Sequence, residues 1–529
     1  MNFIIKKKYF LFSIFTVYLV TGLYLSLTNG ITVDEYFNHL HFQINKDASI
    51  NFIQTGSYDE LLNYQNRYHG IAFQLISLPF QYILQSFASN LNDLNAFGGF
   101  MISKHFAVFL LFSISGIFFY LLSLKLTKNL LFAFISTSIY LLYPYLFGHA
   151  QFNPKDIPFL SFWLINSYIS LTLIENIFNG EKIKISKIII LSFLTALLIS
   201  IRILGVVIFL QYIISIIVLF NIKKIDLKDF VKENYLIFFI FIFLLFSFVY
   251  VLNPILWHNP IELLNSINWM SNFFLDICTL TLGSCMRSLS LPSSYYFIWL
   301  FFKLPIIVLI GVLLFPFVEK KIFNQKNICI YYLPLLLTFF LILFIFIINN
   351  VAVYDEIRHV LFLVPLVLLV GLTNLFFFNK KFFYSLGTFL IFFFLIENFS
   401  LNPYQYTWLN SFAKFTDISK NFEIDYWGVS NKNLTKKIVE YSEKNSLNRK
   451  NLCIFGDMYA KEFLENQDFV CFKNYSELDQ FKKRPLFVYK NIRNVKRSDP
   501  KDCELIWNET YNYSFYKKEI STGTLWYCN

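Results

Sequence analysis

Residues 182–224 read KIKISKIIILSFLTALLISIRILGVVIFLQYIISIIVLFNIKK, and the fold turns on how often this stretch crosses a membrane. Its apolar block, 188–220, would be about 50 Å long as one straight helix. Both flanks are basic, with Lys182, Lys184 and Lys187 before the block and Lys223 and Lys224 after it. Lys and Arg mark the cytoplasmic side of short membrane loops, so two basic flanks require an even number of crossings. One span would put the flanks on opposite sides. Two short helices turning near Arg202-Ile-Leu-Gly205 satisfy both the length and the charges.

The same reasoning extends along the chain. Further positive clusters stand at Lys6–Lys8, Lys125/Lys128, Lys228/Lys232, Lys320/Lys321/Lys326 and Lys380/Lys381. Between them lie apolar blocks near 9–27, 103–123, 129–147, 157–175, 235–252, 294–316, 329–349, 360–378 and 382–397, near the ~20 residues that cross a bilayer. With 188–220 counted twice this predicts about 11 spans, N-terminus in and C-terminus out. Gly70–Phe87 is also apolar, but counting it would invert every later loop, so it reads as a re-entrant or interfacial helix. Leu25-Ser-Leu-Thr-Asn-Gly30 is a poor cleavage site, and the first block reads as an uncleaved span. Hydrophobic residues are 56% of the 529 and charged residues 15%, against about 25% charged in soluble domains. The 67 Phe and 33 Tyr suit lipid-facing and interfacial positions. The net charge of +11 lies on the membrane flanks and does not call for nucleic acid. The class is an α-helical polytopic protein of a plasma (bacterial inner) membrane, its partner the lipid bilayer.

This topology leaves short cytoplasmic loops and places outside the loop 28–102, the turn 148–156, the loop 253–293, the turn 350–359 and the tail 398–529. Residues 1–397 read as the membrane domain and 398–529 as a small exterior α/β domain. Within the tail, Asn451-Leu-Cys-Ile-Phe455 and Arg484-Pro-Leu-Phe-Val-Tyr489 read as strands and Asn433–Glu443 as a helix. Cys278, Cys285, Cys453, Cys471, Cys503 and Cys528 all fall outside, an even number that suits an oxidising compartment. Cys278 and Cys285 are close enough to staple their loop, and the four tail cysteines allow three pairings. Cys329 opens a span.

The chain has no GxGxxG, P-loop, DxD or HExxH, and no cytosolic domain to hold a nucleotide. Its polar residues gather at the exterior ends of the spans. Asp34 and Glu35 follow the first span in Gly30-Ile-Thr-Val-Asp34-Glu35-Tyr-Phe-Asn-His39; a carboxylate beside apolar walls gains basicity, and the plain alternative is a solvated loop start. Lys155 and Asp156, in Gly148-His149-Ala-Gln-Phe-Asn-Pro-Lys155-Asp156-Ile-Pro158, open a helix whose N-terminus attracts anions, or Asp156 simply caps that helix. Arg358 and His359, in Tyr354-Asp355-Glu356-Ile-Arg358-His359, precede a late span; an Arg there grips phosphate bidentately or anchors the span at the interface. Arg202 sits at the outer turn of the hairpin, where it is functional if buried and snorkels if the turn reaches water. His69, Lys104 and His258, in Arg67-Tyr-His69, Lys104-His105 and Asn253-Pro-Ile-Leu-Trp257-His258-Asn-Pro260, are weaker candidates for substrate contact. The topology, set by lysines alone, puts Asp34, Glu35, Asp156, Arg202 and Arg358 on one face. Acids and cations at one depth fit a phosphate-bearing substrate and a base.

In this order and sidedness the motifs resemble the GT-C superfamily of membrane glycosyltransferases, especially the bacterial protein-mannosyltransferase-like (family 39-like) group. The acidic pair Asp34-Glu35 in the first exterior loop, NPKDIP at 153–158 and the Arg of YDEIRHVLFLVP at 354–365 carry the resemblance, with RYHGIAFQL, NPILWHNP, NPYQYTWLN (402–410) and DYWG (425–428). It implies a polyprenyl-phosphate-linked sugar as donor, a glycan, lipid or protein hydroxyl as acceptor, and an inverting hexosyl or pentosyl transfer in one displacement. It assigns Asp34 as general base, Glu35 as the residue orienting the acceptor or Asp34, Asp156 as a second acid, and Lys155, Arg202 and Arg358, with His359, as donor-phosphate ligands. Lys104-His105 stands where the group carries an Arg. Some members use a divalent metal; Asp34 and Asp156 are the pair that could share Mg2+ or Mn2+, without a ligand set strong enough to assign one. The rival outside enzymes is a transporter or flippase of lipid-linked sugars, favoured by the broken 188–220 hairpin. Transporters carry charges at mid-membrane and matched halves, and neither is seen here. A ligase or polymerase using the same carriers is a second rival.

Overall fold

The computed structural model describes residues 2–272, 275–456, 460–481, 485–491 and 499–529. Arg484 and the side chains of Lys6–Lys8 lie outside the described residues. The chain is mostly α-helical because the apolar blocks have no other way to satisfy their backbone in lipid. Among the described residues, seven helices are long and apolar enough to cross a membrane: Ala96–Thr127, Asp156–Phe178, Ile203–Lys223, Lys228–Leu252, Lys326–Ile348, Arg358–Phe378 and Lys380–Ser400. Two bent pairs raise this to nine, Ser13–Thr28 with Val33–Thr55 at 85° and Leu130–Leu142 with Pro144–Ala150 at 59°. The shorter helix Ile185–Ile201 and the block broken at Leu304-Pro305 into Ser294–Lys303 and Ile306–Leu313 correspond to the remaining two of the about 11 spans read from the sequence. It is an integral membrane protein.

The 182–224 stretch folds as its charges require. A helix ends at Ile201, a short 3-10 turn covers Ile203–Val207, and a second helix runs Ile208–Lys223. Its far end returns to its start: Lys223 Nζ donates to Asn179 Oδ1 at 2.8 Å, in the loop that precedes the first helix. Lys125 pairs with Glu175 at the same end, at 3.0 Å. Basic segments that the sequence assigns to one side thus share one end of the bundle. Within the bundle, where lipid removes the hydrophobic drive between helices, small residues permit close approach. A Cβ on Gly311 would run into the backbone of Gly371.

The opposite end is built from the other loops. Tyr68 OH donates to Glu262 at 2.6 Å, Glu423 N to Leu280 O at 2.8 Å, Asp355 N to Thr279 Oγ1 at 2.9 Å and Lys432 Nζ to Asn92 Oδ1 at 2.7 Å. The apolar Gly70–Phe87 stretch becomes the helix Ala72–Asn92, which stays at this end: Gly70 abuts the carbonyls of Ser200 and Ile201 at the hairpin turn, and Asn92 Nδ2 donates to Leu27 O at 2.9 Å.

Among the described residues the tail carries β1 (Cys453–Gly456), β2 (Cys471–Asn474), β3 (Leu486–Asn491), β4 (Glu504–Tyr511) and β5 (Ile520–Cys528), in one sheet of order β2-β1-β3-β5-β4. β1 pairs in parallel with β2 and β3, whereas β5 pairs antiparallel with β3 and β4. The two strand segments and the helix read from the sequence appear as β1, β3 and Ser430–Lys444. Leu434 and Ile438 of that helix pack with Phe487 and Leu525 of the sheet. Leu401–Val429, by contrast, contributes Tyr404, Tyr406, Trp408, Tyr426 and Trp427 to the core of the bundle. The six cysteines read as exterior pair as Cys278–Cys285, Cys453–Cys471 and Cys503–Cys528, and Cys329 is free and buried.

Cysteines placed at Phe415, which is 86% exposed at the tail end, and at the exposed Lys224 of the other end should label from opposite sides of sealed membranes. Labelling of both by one impermeant reagent added to one side would overturn the sorting of the loops.

Candidate functional site

The site begins where the chain turns between its first two helices. Thr32 opens the helix Val33–Thr55 and Glu35 folds back onto it, Oε1 accepting from Thr32 N at 2.7 Å and Thr32 Oγ1 at 2.9 Å. Oε2 is 2.9 Å from His105 Nε2. Both oxygens of the fully buried Glu35 are therefore taken by the protein, as in a helix capping box. Asp34, one residue earlier and so about 100° around the helix, faces the other way with 40% of its side chain exposed. Adjacent Val33 donates its backbone N–H to Trp427 O at 3.1 Å, fixing this first turn against the tail.

Arg358 meets Asp34 from the opposite wall, Nη1 to Oδ2 at 2.9 Å, while its Nη2 lies 3.5 Å from Asp355 Oδ2. Its guanidinium is covered by aromatic rings, 4.7 Å from the centroid of Tyr354 and 5.0 Å from that of Trp427. Such cation–π contacts strengthen when water is excluded. The turn that delivers Arg358 contains two consecutive residues of left-handed backbone, Asp355 at φ 55° and Glu356 at φ 67°. Each such residue costs on the order of 1–3 kcal/mol and persists only where its surroundings hold it. Thr279 Oγ1 accepts from Asp355 N, Tyr295 OH donates to Glu356 O at 3.0 Å, and Glu356 pairs with Lys303 at 2.8 Å. Burial raises the Glu356 carboxyl, and the Lys303 ammonium beside it pulls it back down.

A second acid–cation pair lies beside the first. Asp156 is buried at the start of Asp156–Phe178 and pairs through Oδ1 with Arg202 from the hairpin turn. Its Oδ2 accepts from Asn153 Nδ2 at 2.9 Å, and Asn153 Oδ1 accepts from Asp156 N at 2.9 Å. Asn153 Oδ1, not the Asp156 carboxylate, accepts from the first N–H of the helix, so Asp156 Oδ1 is available to Arg202. Lys155 stands within electrostatic reach of Asp34, Asp156, Arg202 and Arg358 but makes no ion pair within 4.0 Å among the described residues. Burial, then repulsion from Arg202, lower its ammonium to about 7 against the pull of Asp34 and Asp156.

Asp34, Lys155, Asp156, Arg202 and Arg358, drawn from four separate stretches of sequence, are thus brought together. His359 packs on Tyr354 with ring centroids 4.6 Å apart, and its Nδ1 is buried without a hydrogen-bond partner among the described residues. His69 meets His41 edge-to-face, ring centroids 4.5 Å apart, and feels the charges of Lys155 and Arg202, placing it at the edge of the cluster. Lys104 is fully buried one layer behind, near Glu35, its ammonium without a hydrogen-bond partner among the described residues. His258 is exposed and lies against Tyr58, ring centroids 5.9 Å apart, with no contact to the charged cluster among the described residues. Asp34 and Asp156 each pair with an arginine, and no three His, Cys, Asp or Glu side chains among the described residues form a metal-holding group.

Sequence reasoning missed the tail's part. Asp425 of DYWG accepts from Val429 N at 2.8 Å, Ser430 N at 3.1 Å and Tyr406 OH at 2.7 Å, so it organises the start of the 430–444 helix. Burial raises its carboxyl to about 6 against those donors. Tyr426 OH lies 3.4 Å from His149 Nε2, and Trp427 covers Arg358. It also missed Lys303, whose signal was legible: one Lys inside an apolar block is functional by default.

Trp427→Ala should uncover Arg358 and open a cavity between tail and bundle, costing about 3–5 kcal/mol in thermal unfolding in detergent, with Trp427→Phe retaining most of the stability. An unchanged Tm would show that the ring is not part of the packed site.

The sequence matches no family model, and no curated protein matches it. Among solved structures, the chain is similar to ArnT from Cupriavidus metallidurans in the apo state, at 9% identity and a TM-score of 0.45 over 98% of each chain. It is also similar to ArnT from the same organism bound to undecaprenyl phosphate, at 9% identity and a TM-score of 0.40 over 97% of each chain.

Proposed function

We propose that the protein is an inverting glycosyltransferase that moves a sugar from a polyprenyl-phosphate donor to an acceptor hydroxyl, on a glycan, lipid or protein, at the exterior face of a plasma membrane. The observation that carries the reading is the Arg358–Asp34 pair: a half-exposed carboxylate held by an aromatic-walled guanidinium, with Lys155 and Arg202–Asp156 beside it, at one end of a membrane bundle. Exterior placement is supported by the lysines gathered at the other end and by disulfides on this one.

In this mechanism the donor phosphate takes Arg358 and Lys155, and Arg202 adds positive potential. Withdrawal of Arg358 toward phosphate frees Asp34 as a base. The acceptor oxygen attacks the anomeric carbon from the face opposite the phosphate and passes its proton to Asp34. The anomeric C–O bond breaks with its electron pair leaving on the phosphate oxygen, whose growing charge the cations stabilise. Asp156 holds Arg202 in place, and Glu35 sets the first helical turn that aims Asp34. A transporter would carry its charges near mid-membrane, whereas these lie at one end.

Asp34→Asn should lower transfer by about 10²–10⁴-fold while donor binding survives, in membranes assayed with a panel of radiolabelled polyprenyl-phosphate sugars. Full activity in that variant would remove Asp34 as the base, and a panel in which no donor is consumed while the donor crosses the bilayer would favour the transporter. Lys155 gives a pH test. Its ammonium is charged below about 7 and neutral above it, so donor affinity should fall as pH rises from 6 to 8, and Lys155→Met should flatten that limb. A slope unaltered in Lys155→Met would assign the titration elsewhere.

A further inference from the structure

The turn that carries Arg358 stands on a charged pair that the proposed chemistry leaves unused. Lys303 ends the helix Ser294–Lys303 just before the Leu304-Pro305 break, and its ammonium is 2.8 Å from Glu356 Oε2, both side chains fully buried. The ammonium sits against the ring of Tyr145, 4.4 Å from its centroid, with Trp299 at 5.7 Å. A buried ion pair is weak support for stability, because desolvation offsets the attraction and apolar replacements of similar volume are often no worse. This pair's place in the fold gives it another task. Glu356 is the second of the two left-handed residues, so drawing its side chain inward fixes the peptide planes on both sides. On one side Asp355 then meets Arg358 Nη2 at 3.5 Å, and on the other Arg358 reaches Asp34 at 2.9 Å. The same turn is held by Thr279 on Asp355 N and by Tyr295 on Glu356 O.

We infer that Lys303 and Glu356 are positioning residues for donor-phosphate binding: their buried ion pair holds the 354–358 turn so that Arg358 points into the site. This rests on the proposed role of Arg358. The pair touches no substrate and acts through the guanidinium.

The test is direct binding of a polyprenyl monophosphate to the full-length protein in phosphatidylcholine nanodiscs, alongside thermal unfolding. Glu356→Gln alone strands a buried cation, so the decisive variant replaces both partners, Lys303→Met with Glu356→Gln. It should unfold as the wild type does yet bind the phosphate about tenfold more weakly, the scale of one charge-assisted hydrogen bond. Arg358→Ala should lose about as much, and adding the paired replacement to it should cost nothing further. Glu356→Asp, which keeps the charge but shortens its reach, covers a paired variant that does not fold and should show a smaller loss in the same direction. Wild-type affinity in the folded paired variant or in Glu356→Asp would overturn the inference, as would losses that simply add to that of Arg358→Ala. Wild-type protein that binds no polyprenyl phosphate would instead defeat the functional reading itself, and the inference with it.

Discussion

The Arg358 guanidinium joins three parts of the chain that are far apart in sequence. Through Asp34 it reaches the start of the second helix, through Asp355 its own turn, and through Trp427 the tail. A charge that is 93% removed from water is tolerable only if paired, since isolated burial of an ion costs several kcal/mol. Each partner of Arg358 is therefore a condition on how its own segment folds. The left-handed turn at Asp355 and Glu356, the capping of Val33–Thr55 and the burial of residues 425–429 are the local arrangements that meet those conditions.

The cluster is close to electrically balanced, with Asp34, Asp156 and Asp355 facing Lys155, Arg202 and Arg358. Balance at rest means that an anionic ligand must displace a carboxylate from a cation to bind well. Asp156 is a poor candidate for displacement, being buried and tied by Asn153 as well as Arg202. Asp34 is the better one, because it is partly exposed and held by a single ion pair. Competition for Arg358 would thus couple arrival of the phosphate to release of the base. Lys155, which lacks an ion pair among the described residues, is the cation available without any exchange.

How much of this the sequence disclosed follows from the range of the interactions. Positive flanks and block length are local, and they sufficed for the 188–220 hairpin, for the exclusion of Gly70–Phe87 and for sorting the loops by end. They also sufficed to gather Asp34, Lys155, Asp156, Arg202 and Arg358, because each stands at the end of a block whose side was already fixed. What stayed hidden depends on contacts across the chain. Trp427 covers Arg358, and Lys303 meets Glu356, from positions 69 and 53 residues away. DYWG offered no chemistry by itself because its chemistry is to hold other segments: Asp425 binds backbone N–H groups, and the Trp427 carbonyl binds Val33. His258 shows the converse, a polar residue in a conspicuous motif whose block end lies away from the cluster.

Asp34 and Glu35 look alike in sequence, and their separation is a matter of helix geometry. Neighbouring residues in a helix point about 100° apart, so two carboxylates in one first turn cannot share a wall. The capping position belongs to the residue three beyond the cap, which with Thr32 as cap is Glu35. Ile31, one residue earlier, has no polar side-chain atom to cap with, so the Thr32 hydroxyl fixes Glu35 as the closing residue and leaves Asp34 to face Arg358. The bond from Val33 N to Trp427 O uses one of the N–H groups that the first turn of a helix leaves unpaired, and it ties this turn to the tail.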